Sequence, residues 1–111
     1  MPNLLSFPAS VRDDSREFFQ TLFRASGDVR VERIVSHGHV TPPGTWYDQE
    51  EDEWVAVLEG EARIAYPDGK EVCLGRGDQL FLPRRVAHRV AYTSAPCVWL
   101  AVFGDFSPEP S

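Results

Sequence analysis

The sequence contains few cysteines, few basic residues and no long apolar run. Its two cysteines, Cys73 and Cys97, are too few for a disulfide framework, and both lie in apolar stretches, where small buried thiols are common. The 17 Asp and Glu residues outnumber the 11 Lys and Arg residues, which gives a net charge of −6. This balance argues against nucleic acid or an anionic membrane as a partner. No stretch approaches the roughly 18 apolar residues of a transmembrane helix.

The first residues of the chain also lack the features of a secretory signal. Residues 1–8 contain no basic segment, and their apolar stretch is short, so we expect a cytoplasmic protein. The length of 111 residues suits one domain. A hydrophobic fraction of 42%, with 12% aromatic residues, is enough to build a packed core.

One short helix and a series of short strands are predicted. Asp13, Asp14 and Ser15 can cap a helix that runs from Ser10 or Asp14 to Ala25, and Gly27 can end it. From residue 28 onward, side chains alternate with a period of two, which is typical of strands. Further strands are predicted at 54–58, 61–66, 70–74, 79–82, 87–93 and 97–103.

This order of elements predicts an all-β fold, an antiparallel barrel or sandwich. We expect a single domain over residues 1–111, with an N-terminal tail and helix at 1–27, a barrel at about 28–104 and a C-terminal tail at 105–111. The strand at 97–103 is apolar on both faces. Such a strand lies between two layers of one chain, or between one layer and a partner subunit, so we also expect a homodimer.

An acidic segment is the most conspicuous local feature. Five carboxylates fall within residues 48–53, which contain no basic residue, and the rest of the chain has 12 acidic residues against 11 basic ones. Clustered oxygen ligands can hold a divalent cation, but for most of these residues we favour a solvated acidic loop. Glu53 differs because it shares one face of a strand with Val55 and Val57. If those valines point into the barrel, the Glu53 carboxylate does too, and it then needs a cation or hydrogen-bond donors.

A second motif comprises Gly77-Asp78, a short apolar strand, Pro83 and then His88. Together with Glu53 and Gly60, which are separated by six residues, this motif resembles those of the small single-domain cupins. In that family a first motif has Gly, His-x-His, Glu and Gly, and a second has Gly, Pro, Gly, His and Asn. The resemblance covers about residues 29–103 and implies a double-stranded β-helix, the jelly-roll barrel, here with one short N-terminal helix.

The resemblance also implies a metal site inside the barrel, but the sequence departs from the family at several positions. The His-x-His positions hold Trp46 and Asp48, or Tyr47 and Gln49 with the shorter spacing. Arg85 replaces the second-motif glycine, and Tyr92 replaces the asparagine. The ligand candidates carried over are Glu53 and His88, with Asp48 and Gln49 as additional oxygen ligands. Such a set would suit Fe, Mn, Zn or Ni, or the site would hold no metal at all.

His37 and His39 form another candidate pair, because residues two apart on a strand share a face. Thirteen residues separate His39 from Glu53, whereas the family has three or four between its ligands. We therefore favour two surface histidines over a displaced ligand pair.

Three functions are consistent with these residues: two that use a small-molecule pocket, described next, and a structural or dimerisation module with a degenerate pocket. The first is a metal-dependent oxygenase, isomerase or lyase that acts on a small molecule, with His88 and Tyr47 as catalytic residues. The second is a metal-free pocket that binds a sugar-like or carboxylate ligand without catalysis. The expected lining residues of the pocket are Trp46, Tyr66, Phe81, Tyr92 and Arg85.

Overall fold

The computed structural model describes residues 3–6 and 17–108 and contains seven strands. They are β1 Phe23–Ser36, β2 Asp52–Glu59, β3 Ala62–Ala65, β4 Glu71–Leu74, β5 Gln79–Leu82, β6 Arg89–Thr93 and β7 Cys97–Pro108. One antiparallel sheet has the order β1-β7-β2-β5, and the other has the order β4-β3-β6. These two sheets form the all-β jelly-roll that the sequence predicts. No helix in the described ranges is long and apolar enough to cross a bilayer.

The N-terminal helix is the one predicted element that the described residues do not contain. Residues 10–16 of the predicted span lie outside the described part of the chain. Residues 17–22 form neither helix nor strand, and residues 23–25 already belong to β1. Tertiary contacts explain this extended start, because the ring of Phe23 lies 5.5 Å from that of Trp54 and 4.7 Å from that of Phe106. Because β1 begins at Phe23 and β7 runs to Pro108, the first and last strands of the chain extend beyond the predicted barrel limits of 28 and 104.

The main core lies between the two sheets and is built by alternate residues of the strands. From β7, the side chains of Cys97, Trp99, Ala101 and Phe103 point into this core. The intervening residues Val98, Leu100 and Val102 lie on the outer face of the four-stranded sheet. The prediction of a strand with two apolar faces is therefore confirmed, and it leaves an apolar outer face on this sheet.

The motif residue Gly60 marks a close approach between two turns. Its φ of +86° lies in the left-handed region, and an added Cβ would come within 2.5 Å of the Pro96 carbonyl oxygen. Glycine is therefore required here for its backbone conformation and also for its lack of a side chain. The contact joins the end of β2 to the turn that leads into β7.

Candidate functional site

Two pairs of hydrogen bonds attach the segment between β1 and β2 to strand β6 and to His88, the residue before it. Thr41 N donates to Val90 O at 2.9 Å, and the Thr41 hydroxyl accepts a hydrogen bond from Val90 N at 3.0 Å. Further along, Tyr47 and His88 exchange both backbone hydrogen bonds, at 2.8 and 3.0 Å. The segment thereby covers the edge of β6 and encloses the space between the sheets.

The enclosed space is a cavity of about 400 Å³. Four of the motif positions line it, which brings together residues that are up to 41 positions apart in the sequence: Tyr47, Gln49, Glu53 and His88. The rest of its wall includes Glu32, Ser36, Thr41, Trp99 and Phe103. Alternation along β2 places Glu53 on the cavity side with Val55, as the sequence indicated.

Glu53 is a buried carboxylate, with 7% of its surface exposed. Burial raises its pKa, and the charge of Glu32 raises it further, while the hydrogen bond from Gln49 and the charge of Arg30 lower it. That bond runs from Gln49 Nε2 to Glu53 Oε1 at 3.2 Å. Burial thus favours the neutral acid, which can donate as well as accept a hydrogen bond.

His88 is also buried, with 4% of its surface exposed. Burial lowers the pKa of its imidazole, although the contact with the Val86 carbonyl opposes the shift. Nδ1 lies 3.2 Å from Val86 O. Because a carbonyl oxygen can only accept, Nδ1 carries the proton, and Nε2 of the neutral ring has a free lone pair.

One polar atom of each buried side chain remains open. Glu53 Oε2 and His88 Nε2 make no hydrogen bond within the described part of the chain. No fully buried side-chain nitrogen or oxygen there lacks a partner. Both atoms must therefore be accessible from the cavity, since they would otherwise be buried without a partner. The cavity thus presents two buried groups that are ready to bind a molecule inside it.

Comparison with known proteins places this geometry in a family. A model of the cupin domain matches residues 31–103. This chain is a member of the cupin family. A search of curated proteins gave no match.

Solved structures give the same result. A candidate mannose-6-phosphate isomerase from Ralstonia eutropha JMP134 is 40% identical, with a TM-score of 0.67 over 76% of this chain and 83% of that one. An RmlC-like cupin from Shewanella frigidimarina is 22% identical, with a TM-score of 0.57 over 68% and 65% of the two chains. The DMSP lyase DddQ from Ruegeria pomeroyi is 21% identical, with a TM-score of 0.59 over 71% of this chain and 39% of that one. The last two likenesses show the fold.

The cupin motif positions that face the cavity are those given by the shorter spacing. Tyr47 and Gln49 line the cavity, whereas Asp48 points away and pairs with Arg85 at 3.3 Å. Arg85 occupies the position of the family's glycine and has a φ of 61°, the left-handed conformation that glycine adopts readily. Its backbone N–H donates to Gln49 O at 2.8 Å, so Arg85 holds the Tyr47–Gln49 loop from outside the cavity.

The remaining aromatic residues that were expected in the pocket lie elsewhere. Trp46 is exposed, with Arg89 5.8 Å from its ring, and Tyr92 is exposed, with Arg63 5.4 Å from its ring. Phe81 packs on the outer apolar cluster with Trp54. Tyr66 packs at the edge of the main core, where burial raises the pKa of its hydroxyl. None of the four is among the described residues that line the cavity.

The two early histidines take different positions. His39 lines the cavity, and its Nδ1 accepts a hydrogen bond from the backbone N–H of His37 at 3.0 Å. His37 is exposed and does not line the cavity.

The cavity's residues do not fit a tightly held transition metal. Structural and catalytic zinc sites use three or four protein ligands, and within residues 3–6 and 17–108 no three His, Cys, Asp or Glu side chains are grouped to hold an ion. Glu53 and His88 are the two strong ligand types at the motif positions. Tyr47 and Gln49 replace the histidine pair, and the amide of Gln49 already binds Glu53.

Two residues that sequence reasoning missed are important to the site. Glu32 lines the cavity from β1, and the alternation of that strand could have identified it. Asp52 was assigned to a solvated loop, but it is 6% exposed. Its two oxygens accept hydrogen bonds from Arg84 N at 2.8 Å, from Phe106 N at 3.0 Å and from the Arg84 guanidinium. Asp52 therefore ties the start of β2 to the second motif and to β7.

Asp52→Asn is expected to destabilise the protein by about 2 kcal/mol, because a buried charged acceptor loses part of its bonding. Burial alone would raise the pKa of Asp52, but its hydrogen bonds outweigh burial and lower that pKa. The stabilisation is therefore complete above about pH 4 and is lost as the pH falls through the lower pKa of the folded state. Urea unfolding at pH 7 and pH 2 measures both effects.

Asp105→Asn is the matched control for this experiment. Asp105 contacts the same Arg84, at 2.7 Å, but its side chain is 64% exposed. Its loss is expected to cost less than about 0.5 kcal/mol. Equal effects of the two substitutions, or a loss that stays constant with pH, would contradict the anchoring role of Asp52.

Proposed function

We propose that the barrel cavity binds a small polar molecule without a tightly held metal ion. The observation that carries this proposal is the pair of open atoms, Glu53 Oε2 and His88 Nε2, on the wall of a cavity of about 400 Å³. His88 Nε2 accepts a hydrogen bond from the ligand, and Glu53 offers a hydrogen bond donor or acceptor beside it. The cavity has the size of a typical small-molecule site.

Charge limits the kind of molecule. Glu32 and Glu53 line the cavity, and no Lys or Arg is among the described residues that line it. A phosphate or carboxylate would lie against these acids without a basic partner on the wall. Of the two ligand classes expected from the sequence, the cavity favours a hydroxyl-bearing molecule over a carboxylate. The phosphate of the substrate named for the Ralstonia protein has no evident partner on this wall.

Ligand binding is expected to raise the melting temperature. A ligand at 100 times its Kd adds about 2.7 kcal/mol of stability, which corresponds to a rise of roughly 10–20 °C for a domain of this size. A screen of polyols, sugars, amines, carboxylates and phosphates by thermal shift measures this effect. Glu53→Gln is expected to weaken binding of the best ligand.

Glu50→Gln is the control for that variant, since Glu50 lies in the same acidic segment and is exposed. It should bind as the unchanged protein does. No thermal shift with any class of compound, or equal loss in both variants, would contradict the proposed pocket.

The second candidate is the metal-dependent oxygenase, isomerase or lyase. It is favoured by the convergence of Tyr47, Gln49, Glu53 and His88 on one cavity, at the positions where the family resemblance implies a metal. If an ion binds, Glu53 and His88 would hold it, and the ion would supply Lewis-acid chemistry. This candidate stays a prediction.

Metal analysis of the purified protein separates the two candidates. We expect less than about a tenth of an equivalent of Mn, Fe, Ni or Zn, and no thermal stabilisation when these ions are added. A stoichiometric ion that is lost in His88→Ala and kept in His37→Ala would overturn the metal-free proposal. An ion lost in His37→Ala or His39→Ala alone would move the site to the early histidines.

We also propose that a second copy of the chain covers the outer face of the four-stranded sheet. Paired residues form rows across this face, such as Val31, Val102, Trp54 and Phe81. Phe23 and Phe106 already bury Trp54 within the chain, so the exposed part of the face lies on β1. The next row holds Arg33, Leu100, Ala56 and Gln79, so one charged residue lies within these two rows. Val31 and Val35 are 60% and 48% exposed. A two-fold contact matches such a face with itself, so no other sequence is required.

Sedimentation measures the assembly state directly. The protein is expected to sediment at twice the mass of one chain, and Val31→Glu is expected to sediment as a monomer because it places a charge in the contact. Val86→Glu, at an exposed valine away from this face, should remain dimeric. A monomeric unchanged protein would overturn this part of the proposal.

A further inference from the structure

The acidic residues on the cavity wall do more than disfavour anionic ligands. Glu32 and Glu53 both lie on the cavity wall, on two strands of the same sheet. Of the described residues on this wall, none carries a permanent positive charge. Glu32, whose side chain is 42% exposed, therefore supplies a negative potential on this wall.

The nearest positive group leaves this potential in place. Arg30 Nε pairs with Glu32 Oε2 at 2.9 Å, but its guanidinium also pairs with Glu51 at 3.1 Å. The guanidinium carbon of Arg30 also lies over the ring of Phe103, 4.3 Å from the ring centre. One arginine thus serves two carboxylates, and the group of three keeps a net negative charge. The carboxylate of Glu53 has no ion-pair partner within the described residues.

Aromatic rings complete the environment. Tyr47, Trp99 and Phe103 line the same cavity as the two carboxylates. Aromatic side chains together with carboxylates are the surroundings that stabilise organic ammonium groups, which bind through charge and through the ring quadrupole. A neutral polyol would use the open atoms of Glu53 and His88 but would gain nothing from the negative potential.

We propose that the cavity selects small organic cations that carry an ammonium or quaternary ammonium group, and that Glu32 sets this selectivity. The inference rests on the proposed binding function and names its ligand class. Glu32 lies on β1, in the same sheet as Glu53 on β2, and Arg30 limits its effect by sharing the carboxylate.

The test compares molecules of the same shape and different charge. Choline and its uncharged isostere 3,3-dimethylbutan-1-ol differ in a single atom, nitrogen in place of carbon, and thus in charge. Calorimetric titration is expected to give an affinity for choline at least about tenfold higher, with no measurable binding of acetate or phosphate. Glu32→Gln should reduce the preference for choline by roughly fivefold to tenfold and leave the affinity for the isostere unchanged.

Two further variants make the test specific. Arg30→Gln removes the positive group beside Glu32 and should increase the preference for choline. Glu50→Gln removes an exposed acid of the neighbouring loop and should have no effect. If Glu32 had a purely structural role, Glu32→Gln would lower the affinities for choline and for the isostere together. The proposal requires the ratio of these two affinities to change.

The outcomes distinguish the inference from the function on which it rests. If the isostere binds as tightly as choline, or if only sugars, polyols or anions bind, the cation inference is overturned and the pocket remains. If no compound of any class binds, the proposed binding function itself fails. A preference for choline that is unchanged in Glu32→Gln would show that Glu32 does not set the selectivity for cations.

Discussion

The carboxylate of Asp52 is the constraint on which the arrangement of the site depends. It accepts backbone hydrogen bonds from the second motif, at Arg84, and from β7, at Phe106. Three segments distant in the sequence therefore meet at one buried charge. Because neighbouring residues of a strand point to opposite faces, fixing Asp52 on the outer side of β2 fixes Glu53 on the cavity side. A buried carboxylate without hydrogen-bond partners would destabilise the fold. The hydrogen bonds to Asp52 therefore favour this one arrangement of the three segments.

The cavity itself reflects a balance between core packing and polar groups. The two sheets bury an apolar cluster around Val57, Ile64 and Trp99. The adjacent cavity holds Glu53 and His88. Burial raises the pKa of Glu53 and lowers that of His88, and both shifts favour the neutral forms. The core supplies the stability that such buried polar groups reduce. Side chains in this region are packed less closely and leave a cavity with polar atoms in fixed positions, as a binding site requires.

The strands were predictable because their signal is local. Alternation and turn residues identified the segments that became β2 to β7 within a few residues, and the spacing from Glu53 to Gly60 and from Gly77 to His88 identified the family. The pocket residues were predicted less well. Phe81 and Tyr92 lie on strands whose alternation was visible, but their outward direction depends on which face of each strand meets the other sheet. The start of β1 was assigned to a helix because the docking of Phe23 on Trp54 is a contact between distant residues.

The sequence by itself determined the all-β class, the short strands, the position of Glu53 on one face with Val55 and Val57, and the absence of histidines at the first motif, since each follows from residue type and local spacing. Only the tertiary structure decided that Asp48 points out while Tyr47 and Gln49 point in, and that Asp52 is buried. It also brought Glu32 to the cavity wall beside Glu53. These outcomes depend on hydrogen bonds and charges between segments far apart in the chain, whose partners are defined only when the two sheets meet.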